Sequence, residues 1–147
     1  FIEAAQVLQR DGVYDYRYTL SGDITLRAVA RVDDELERGR VQFEVGDACN
    51  LREGLGRFDV VLGCNLLCRL PRPRDFLERL PGLVNAGGQL IFTTPFSWLE
   101  EYTPRENWIG GTEETGDSLN ALRELLAGTF ELERTTDMPF LIRELLR

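Results

Sequence analysis

Short, β-prone apolar runs alternate along this chain with helical periodicity and with glycine-bearing loops. The runs cover residues 41–45, 58–63 and 89–94, and a helical segment, 73–88, lies between the last two. Alternation of strands and helices is typical of α/β folds, in which the strands are parallel. We therefore predict an α/β fold with one strand in each of the three runs.

The helical segment 73–88 is predicted to be amphipathic and to end at Gly87–Gly88. Its inward-facing positions are Phe76, Leu77, Leu80, Leu83 and Val84. Pro81 should kink or locally break this helix, because proline offers no backbone N–H to the preceding turn.

A second helix is predicted towards the end of the chain. Asp117 or Ser118 is its N-cap, and Gly128 ends it. Its inward-facing positions are Leu119, Leu122, Leu125 and Leu126. The residues that follow, 130–145, supply two closing strand candidates.

The first 40 residues carry a helix and a segment that is open to two interpretations. Apolar residues recur at helical spacing until Asp11–Gly12; they are Phe1, Ile2, Ala5 and Leu8. Within 14–30, apolar residues alternate on both sides of Ser21–Gly22, which predicts a β-hairpin. The competing interpretation is a helix over 25–38, because the apolar residues there also approximate a helical period.

Composition limits the classes of protein to which the chain can belong. A chain of 147 residues with 43% hydrophobic content is long enough for one domain with its own core. The net charge of −8 predicts that neither nucleic acid nor a membrane surface is a partner. No apolar run approaches the roughly 20 residues that span a bilayer, so we expect a soluble, cytoplasmic protein.

Histidine is absent and cysteine is scarce. Without histidine, this chain holds no Ser-His-Asp triad, no Cys-His nucleophile pair and no His-containing zinc site. The three cysteines, Cys49, Cys64 and Cys68, lack the spacing of a disulfide framework and are expected to be reduced thiols. Three sulfurs without a fourth ligand make a weak metal site, so we predict core or pocket-wall positions and no metal.

Two polar segments follow strand-like runs and are expected to share one edge of the sheet. Asp47 follows the first run and Asn65 follows the second. In open parallel sheets, ligands bind in the crevice beyond the carboxyl ends of the strands. A carboxylate and exposed N–H groups there suit an adenine-like base. The alternative is that Asp47 caps a turn and Asn65 satisfies loop backbone.

The motifs "GDACNL" and "FDVVLGCNLLCRLPRPRDFLERLPGLVNAGGQLIFTTPFSWLEEYTPRENWIGG" resemble the second half of a class I S-adenosylmethionine-dependent methyltransferase with a Rossmann-like fold. More narrowly, "TPFSWLEEYTPRENWIGG" resembles the methyltransferases of ovothiol biosynthesis. The resemblance implies S-adenosyl-L-methionine as cofactor and methylation of an imidazole nitrogen of 5-thiohistidine (4-mercaptohistidine).

The resemblance also implies a cofactor site. It assigns Asp47 and Ala48 to the adenine end, with Cys49 beside them, and Asn65, Leu66 and Leu67 to the wall beside the methionine part.

A substrate loop over 95–116 is implied as well, with Phe96, Trp98, Glu101, Tyr102 and Trp108 as substrate-binding residues. Glu101 and Tyr102 are the catalytic candidates, because either side chain can orient the imidazole tautomer. The alternative is that the tryptophans form the core of this long loop and that Glu100 and Glu101 are solvated. Long loops in compact domains are usually functional.

The chain departs from the family pattern at its start. The first two strands and the glycine-rich loop are not found, and in this fold those strands lie between the strand at 41–45 and the strand at 58–63. We therefore expect residues 1–147 to be one partial methyltransferase domain, with 13–40 as an insertion. A sulfoxide synthase domain, a second copy or a longer polypeptide would supply the missing strands, or the hairpin at 14–30 would rearrange. The alternative function is a non-catalytic module that docks on a partner enzyme.

Overall fold

The computed structural model describes residues 1–139, which form two compact units. The first unit contains residues 1–45 and the described residues from 137 onward, and the second contains residues 46–136. The helices and strands of the first unit are α1 (Ile2–Asp11), β1 (Val13–Ser21) and β2 (Ile24–Arg31). Those of the second are β3 (Phe58–Cys64), α2 (Pro73–Leu83), β4 (Val84–Thr93) and α3 (Ser118–Leu126).

The first unit confirms the predicted helix and hairpin. Gly12 ends α1 in the left-handed region, with φ 74°, and its N–H donates to the Leu8 carbonyl at 2.9 Å. Strands β1 and β2 pair antiparallel, with Tyr16 opposite Ala28. The competing helix over 25–38 is wrong, because cross-strand pairing with β1 uses the backbone groups that such a helix would need.

The strand predicted at 41–45 is also wrong, although Val41 has extended backbone angles. The carbonyls of Val41 and Phe43 accept hydrogen bonds from the side-chain amides of Gln9 and Gln6 on α1; the bond from Gln6 measures 3.0 Å. Side-chain donors therefore satisfy backbone acceptors that a neighbouring strand would otherwise pair, and the apolar residues of this segment stay exposed.

In the second unit, β3 and β4 form a two-stranded parallel sheet, as predicted. The strands are joined by α2, which packs on one face of the sheet through Phe76 against Phe92, with ring centroids 6.2 Å apart at 72°. The opposite face carries Val60, Leu62 and Ile91, which are 51%, 60% and 43% exposed. Parallel sheets are normally covered on both faces, so this uncovered face is unusual.

The boundary between α2 and β4 differs from the prediction. The helix ends at Leu83, and Gly87–Gly88 lie inside β4 at a register shift opposite Phe58–Val60. A side chain at Gly88 would meet the Asp59 carbonyl at 2.8 Å, so glycine is required there by the close approach of the two strands. Val84 is buried as predicted, but as the first residue of the strand.

Pro81 lies inside α2, which continues for two residues beyond it. The Arg57 guanidinium donates to the Pro81 carbonyl at 3.0 Å and to the Val84 carbonyl at 2.8 Å. These bonds satisfy carbonyls at the end of the helix, where no intrahelical donor follows.

Helix α3 confirms the predicted cap, since the Asp117 carboxylate accepts from the Asn120 N–H at 3.0 Å. Leu122 is buried as predicted, but Leu125 is 44% exposed and does not face the core. Residues 131–139 contain no strand, and the rest of the predicted closing strands lies outside the described residues. No helix in residues 1–139 is long and apolar enough to cross a membrane.

Candidate functional site

The carboxyl ends of β3 and β4 are joined by Asn65. Its N–H donates to the Thr93 carbonyl at 2.7 Å, and the Thr93 hydroxyl donates to the Asn65 Oδ1 at 3.3 Å. Asn65 has φ 50°, a left-handed conformation that asparagine tolerates better than most residues. These contacts fit the alternative that Asn65 satisfies loop backbone, and its exposed side chain also lies at the ligand edge of the sheet.

A second non-glycine residue with positive φ follows β4. Phe96 has φ 48°, its N–H donates to the Thr94 hydroxyl at 3.2 Å, and its carbonyl accepts from the Trp98 N–H at 3.0 Å. Phe96 is half-buried against the core. Strained backbone of this kind clusters at functional sites, and here one such residue follows each strand of the sheet.

Asp47 caps the short turn Ala48–Asn50. Its Oδ1 accepts from the Cys49 N–H at 2.9 Å, and its carbonyl accepts from the Asn50 N–H at 3.0 Å. The predicted alternative, that Asp47 caps a turn, is therefore confirmed. The residue is exposed, and a carboxylate that accepts one hydrogen bond keeps further acceptor positions for a ligand.

The cysteines divide into two buried thiols and one exposed thiol. Cys49 and Cys68 are buried, and Cys64 is exposed at the end of β3. The Cys49 Sγ donates to the Arg72 carbonyl at 3.4 Å, which links the turn after Asp47 to the start of α2. Within residues 1–139, no group of three His, Cys, Asp or Glu side chains is arranged to hold a metal ion.

The positive charge beside this turn belongs to Arg72. Its guanidinium donates to Asp75 at 2.5 Å, and this hydrogen bond is the main reason that the pKa of Arg72 is raised. The negative charge of Asp47 raises it further, by a smaller contribution. Asp75 is therefore the main partner of Arg72, and Asp47 contributes less.

The two tryptophans of the loop 95–116 pack on each other. Trp98 is buried and stacks on Trp108, with centroids 6.3 Å apart and planes at 18°. The Trp98 Nε1 donates to the Ser118 hydroxyl at 2.9 Å, and the Trp108 Nε1 donates to the Thr103 carbonyl at 2.8 Å. This geometry favours the alternative in which the tryptophans form the core of the loop.

Glu101 and Tyr102 are the loop candidates that reach solvent. Both are exposed, and the Tyr102 ring lies 4.7 Å from the guanidinium carbon of Arg69. Arg69 also donates to the Ser97 carbonyl at 3.1 Å. Sequence reasoning missed Arg69, because a single exposed arginine after a strand carries no local signal of its partners.

The segments that sequence analysis assigned to one site do share one cluster. The buried residues of this cluster include Cys49, Leu67 and Trp98. The partly buried residues packed against it include Ala48, Leu66, Phe96 and Trp108. The cofactor candidates and the loop 95–116 therefore pack on the same core, inside the second unit.

A family model described as "Methyltransferase domain" matches residues 3–92, which is more than half of the chain. No curated protein matches the chain significantly.

Proposed function

Because the chain belongs to the methyltransferase-domain family, we propose that it is a class I S-adenosyl-L-methionine-dependent methyltransferase that acts on an imidazole nitrogen of a thiolated histidine, 5-thiohistidine (4-mercaptohistidine). The observation that carries the reaction class is the family match over residues 3–92. The substrate class rests on the resemblance of the loop 94–111 to ovothiol methyltransferases.

The chemistry of two segments, the turn at Asp47 and the residues that follow β3, supports the cofactor proposal. Asp47 presents an exposed carboxylate that can accept from the exocyclic amine of adenine, and Ala48 beside it is partly buried and small. Leu66 is partly buried and offers apolar surface next to Asn65, whose amide lies at the end of β3, and the buried Leu67 supports it from the core. When bound, the cofactor supplies an electrophilic methyl group.

The protein's own contribution is to orient the acceptor and exclude water. A neutral imidazole nitrogen is already a nucleophile, so no strong base is needed. Most of the reduction in the activation barrier then comes from aligning this nitrogen with the methyl group. Tyr102 and Glu101 are exposed on the loop, where a phenol or a carboxylate can fix the imidazole tautomer by a hydrogen bond. Glu100, also exposed, suits the α-ammonium of an amino acid.

Methyl-transfer assays with 5-thiohistidine and with histidine test this function. We expect transfer to the thiolated ring and much slower transfer to histidine, because the exposed ring of Tyr102 offers a polarisable surface to sulfur. Equal rates on the two amino acids would reject the ovothiol substrate while leaving the methyltransferase class intact. Failure of S-adenosylhomocysteine to bind, in calorimetry, to the complete protein with the strands that complete its sheet would reject the cofactor and favour a non-catalytic docking module.

A partner that completes the sheet is part of this proposal. Val60, Leu62 and Ile91 leave one face of the β3–β4 sheet exposed, and among the described residues β3 pairs only with β4. We propose that strands from a sulfoxide synthase domain, from a second copy or from another segment of the same polypeptide pair with the free edge of β3, because an unpaired parallel edge carries unsatisfied backbone groups.

A further inference from the structure

Arg69 makes two contacts with the loop 95–116 and one within its own turn after β3. Its Nη1 donates to the Cys68 carbonyl at 2.9 Å and to the Ser97 carbonyl at 3.1 Å. Its guanidinium carbon lies 4.7 Å from the centroid of the Tyr102 ring. One side chain therefore fixes two points of the loop from the end of the sheet.

The base of this connection is well anchored. Leu67 and Cys68, which precede Arg69 in the turn Leu67–Arg69, are almost completely buried in the core of the second unit. Ser97 and Tyr102, at the other end of the connection, are exposed. Arg69 therefore anchors an exposed part of the loop to the buried core.

The other attachments of the loop hold its buried side. The Thr103 hydroxyl donates to the Leu70 carbonyl at 2.7 Å, and the Asn107 amide donates to the Pro71 carbonyl at 2.8 Å. These bonds fix the backbone on the core side of the turn. The exposed side chain of Tyr102 depends instead on its contact with the arginine.

We propose that Arg69 is a positioning residue, which holds Tyr102 and the adjacent Glu101 in the orientation that receives the methyl acceptor. The proposal rests on the proposed function, because the acceptor site is assigned to this loop. Without Arg69, the competent orientation is populated less, and the apparent affinity for the acceptor falls by that fraction. Saturating acceptor restores the orientation, so the acceptor KM rises while kcat is unchanged.

Steady-state kinetics on the purified protein test the proposal. Arg69→Met keeps an unbranched apolar stem and removes the charge and the donors; we expect the acceptor KM to rise about tenfold, with kcat and the S-adenosylhomocysteine Kd within twofold of the parent. Arg79→Met, at an exposed position of α2, is the matched control and should change neither constant.

A Tyr102 variant tests whether Arg69 and Tyr102 act through one contact. Tyr102→Leu should raise KM as Arg69→Met does, and the double variant should be no worse than either single one, because the two side chains act through one contact. Additive effects would overturn the proposal. An Arg69→Met variant whose KM is unchanged would also overturn it. So would a variant whose rise in KM comes with a loss of cofactor affinity and of thermal stability.

Amide hydrogen exchange gives a second readout that needs no activity. The N–H groups of Tyr102 and Thr103 both donate to the Leu99 carbonyl at 3.0 Å, so they report on this turn. We expect faster exchange at 99–103 in Arg69→Met, but not in Arg79→Met, and no change in β3 and β4. If the parent protein methylates no thiolated histidine, the proposed function fails; equal exchange in parent and variant overturns the role of Arg69 independently.

Discussion

Trp98 and Trp108 stack 6.3 Å apart, and each indole N–H is already bonded inside the loop or to α3. A ring that is buried against another ring and bonded through its N–H is positioned to stabilise the loop. Tyr102 and Glu101, by contrast, are exposed on the same loop. The tryptophans therefore stabilise the shape of the loop on which these two candidates lie.

The bond between Trp98 and Ser118 gives a stability prediction. Trp98→Phe leaves the buried Ser118 hydroxyl without its donor, and Ser118→Ala leaves the indole N–H without its acceptor, so each variant should lose about 1–3 kcal/mol of the free energy of unfolding. The double variant should lose less than the sum of the two. Chemical denaturation of the four proteins measures this coupling, and strictly additive losses would show that the bond contributes nothing.

The cap made by Asp47 permits a test of its ligand role apart from its structural role. Asp47→Ser keeps a side-chain oxygen that can accept from the Cys49 N–H, whereas Asp47→Ala removes the cap. We expect both variants to weaken S-adenosylhomocysteine binding by about 1–3 kcal/mol, and the alanine variant alone to lower thermal stability, by about 1 kcal/mol. Calorimetry and thermal melts measure the two effects. If Asp47→Ser binds S-adenosylhomocysteine as tightly as the parent does, Asp47 serves only as a cap.

Local sequence patterns are sufficient to predict some elements of this fold. The hairpin and α1 follow from alternation, from a helical period and from a glycine stop, which are all signals within a few residues. The strand at 41–45 failed because glutamines on a distant part of the chain bond its carbonyls. The Trp98–Trp108 stack and the contact of Arg69 with Tyr102 also join residues that are separated in sequence, so neither has a local signal.

The turn before α3 gives a prediction with an internal control. Gly110 and Gly116 both have positive φ, 68° and 70°. A Cβ at Gly110 would lie 2.6 Å from the Ser118 Cα, whereas a Cβ at Gly116 would have no neighbour within 4 Å. Gly116→Ala should therefore cost only the backbone strain, about 1 kcal/mol, and Gly110→Ala should cost at least twice that. Equal loss of stability in denaturant titrations would mean that the crowding at Gly110 relaxes freely.

The exposed face of the β3–β4 sheet gives the last prediction. Val60 and Leu62 are more than half exposed on β3, which within residues 1–139 pairs on one side only, so we expect the 147-residue polypeptide to associate, or to require strands from another segment, before it binds cofactor tightly. Replacing both residues by threonine keeps β propensity and removes apolar area. Each substitution should cost about 1 kcal/mol of association free energy, so the double variant should associate on the order of thirtyfold more weakly.

Leu36→Thr is the matched control for that variant, because Leu36 is as exposed as Leu62 but lies outside the sheet. Sedimentation with and without S-adenosylhomocysteine measures the association of all three proteins. A folded parent monomer that binds the cofactor tightly would contradict the prediction, since the uncovered face and the free edge of β3 would then need no partner. Equal association of the threonine double variant and the parent would place the contact on another surface.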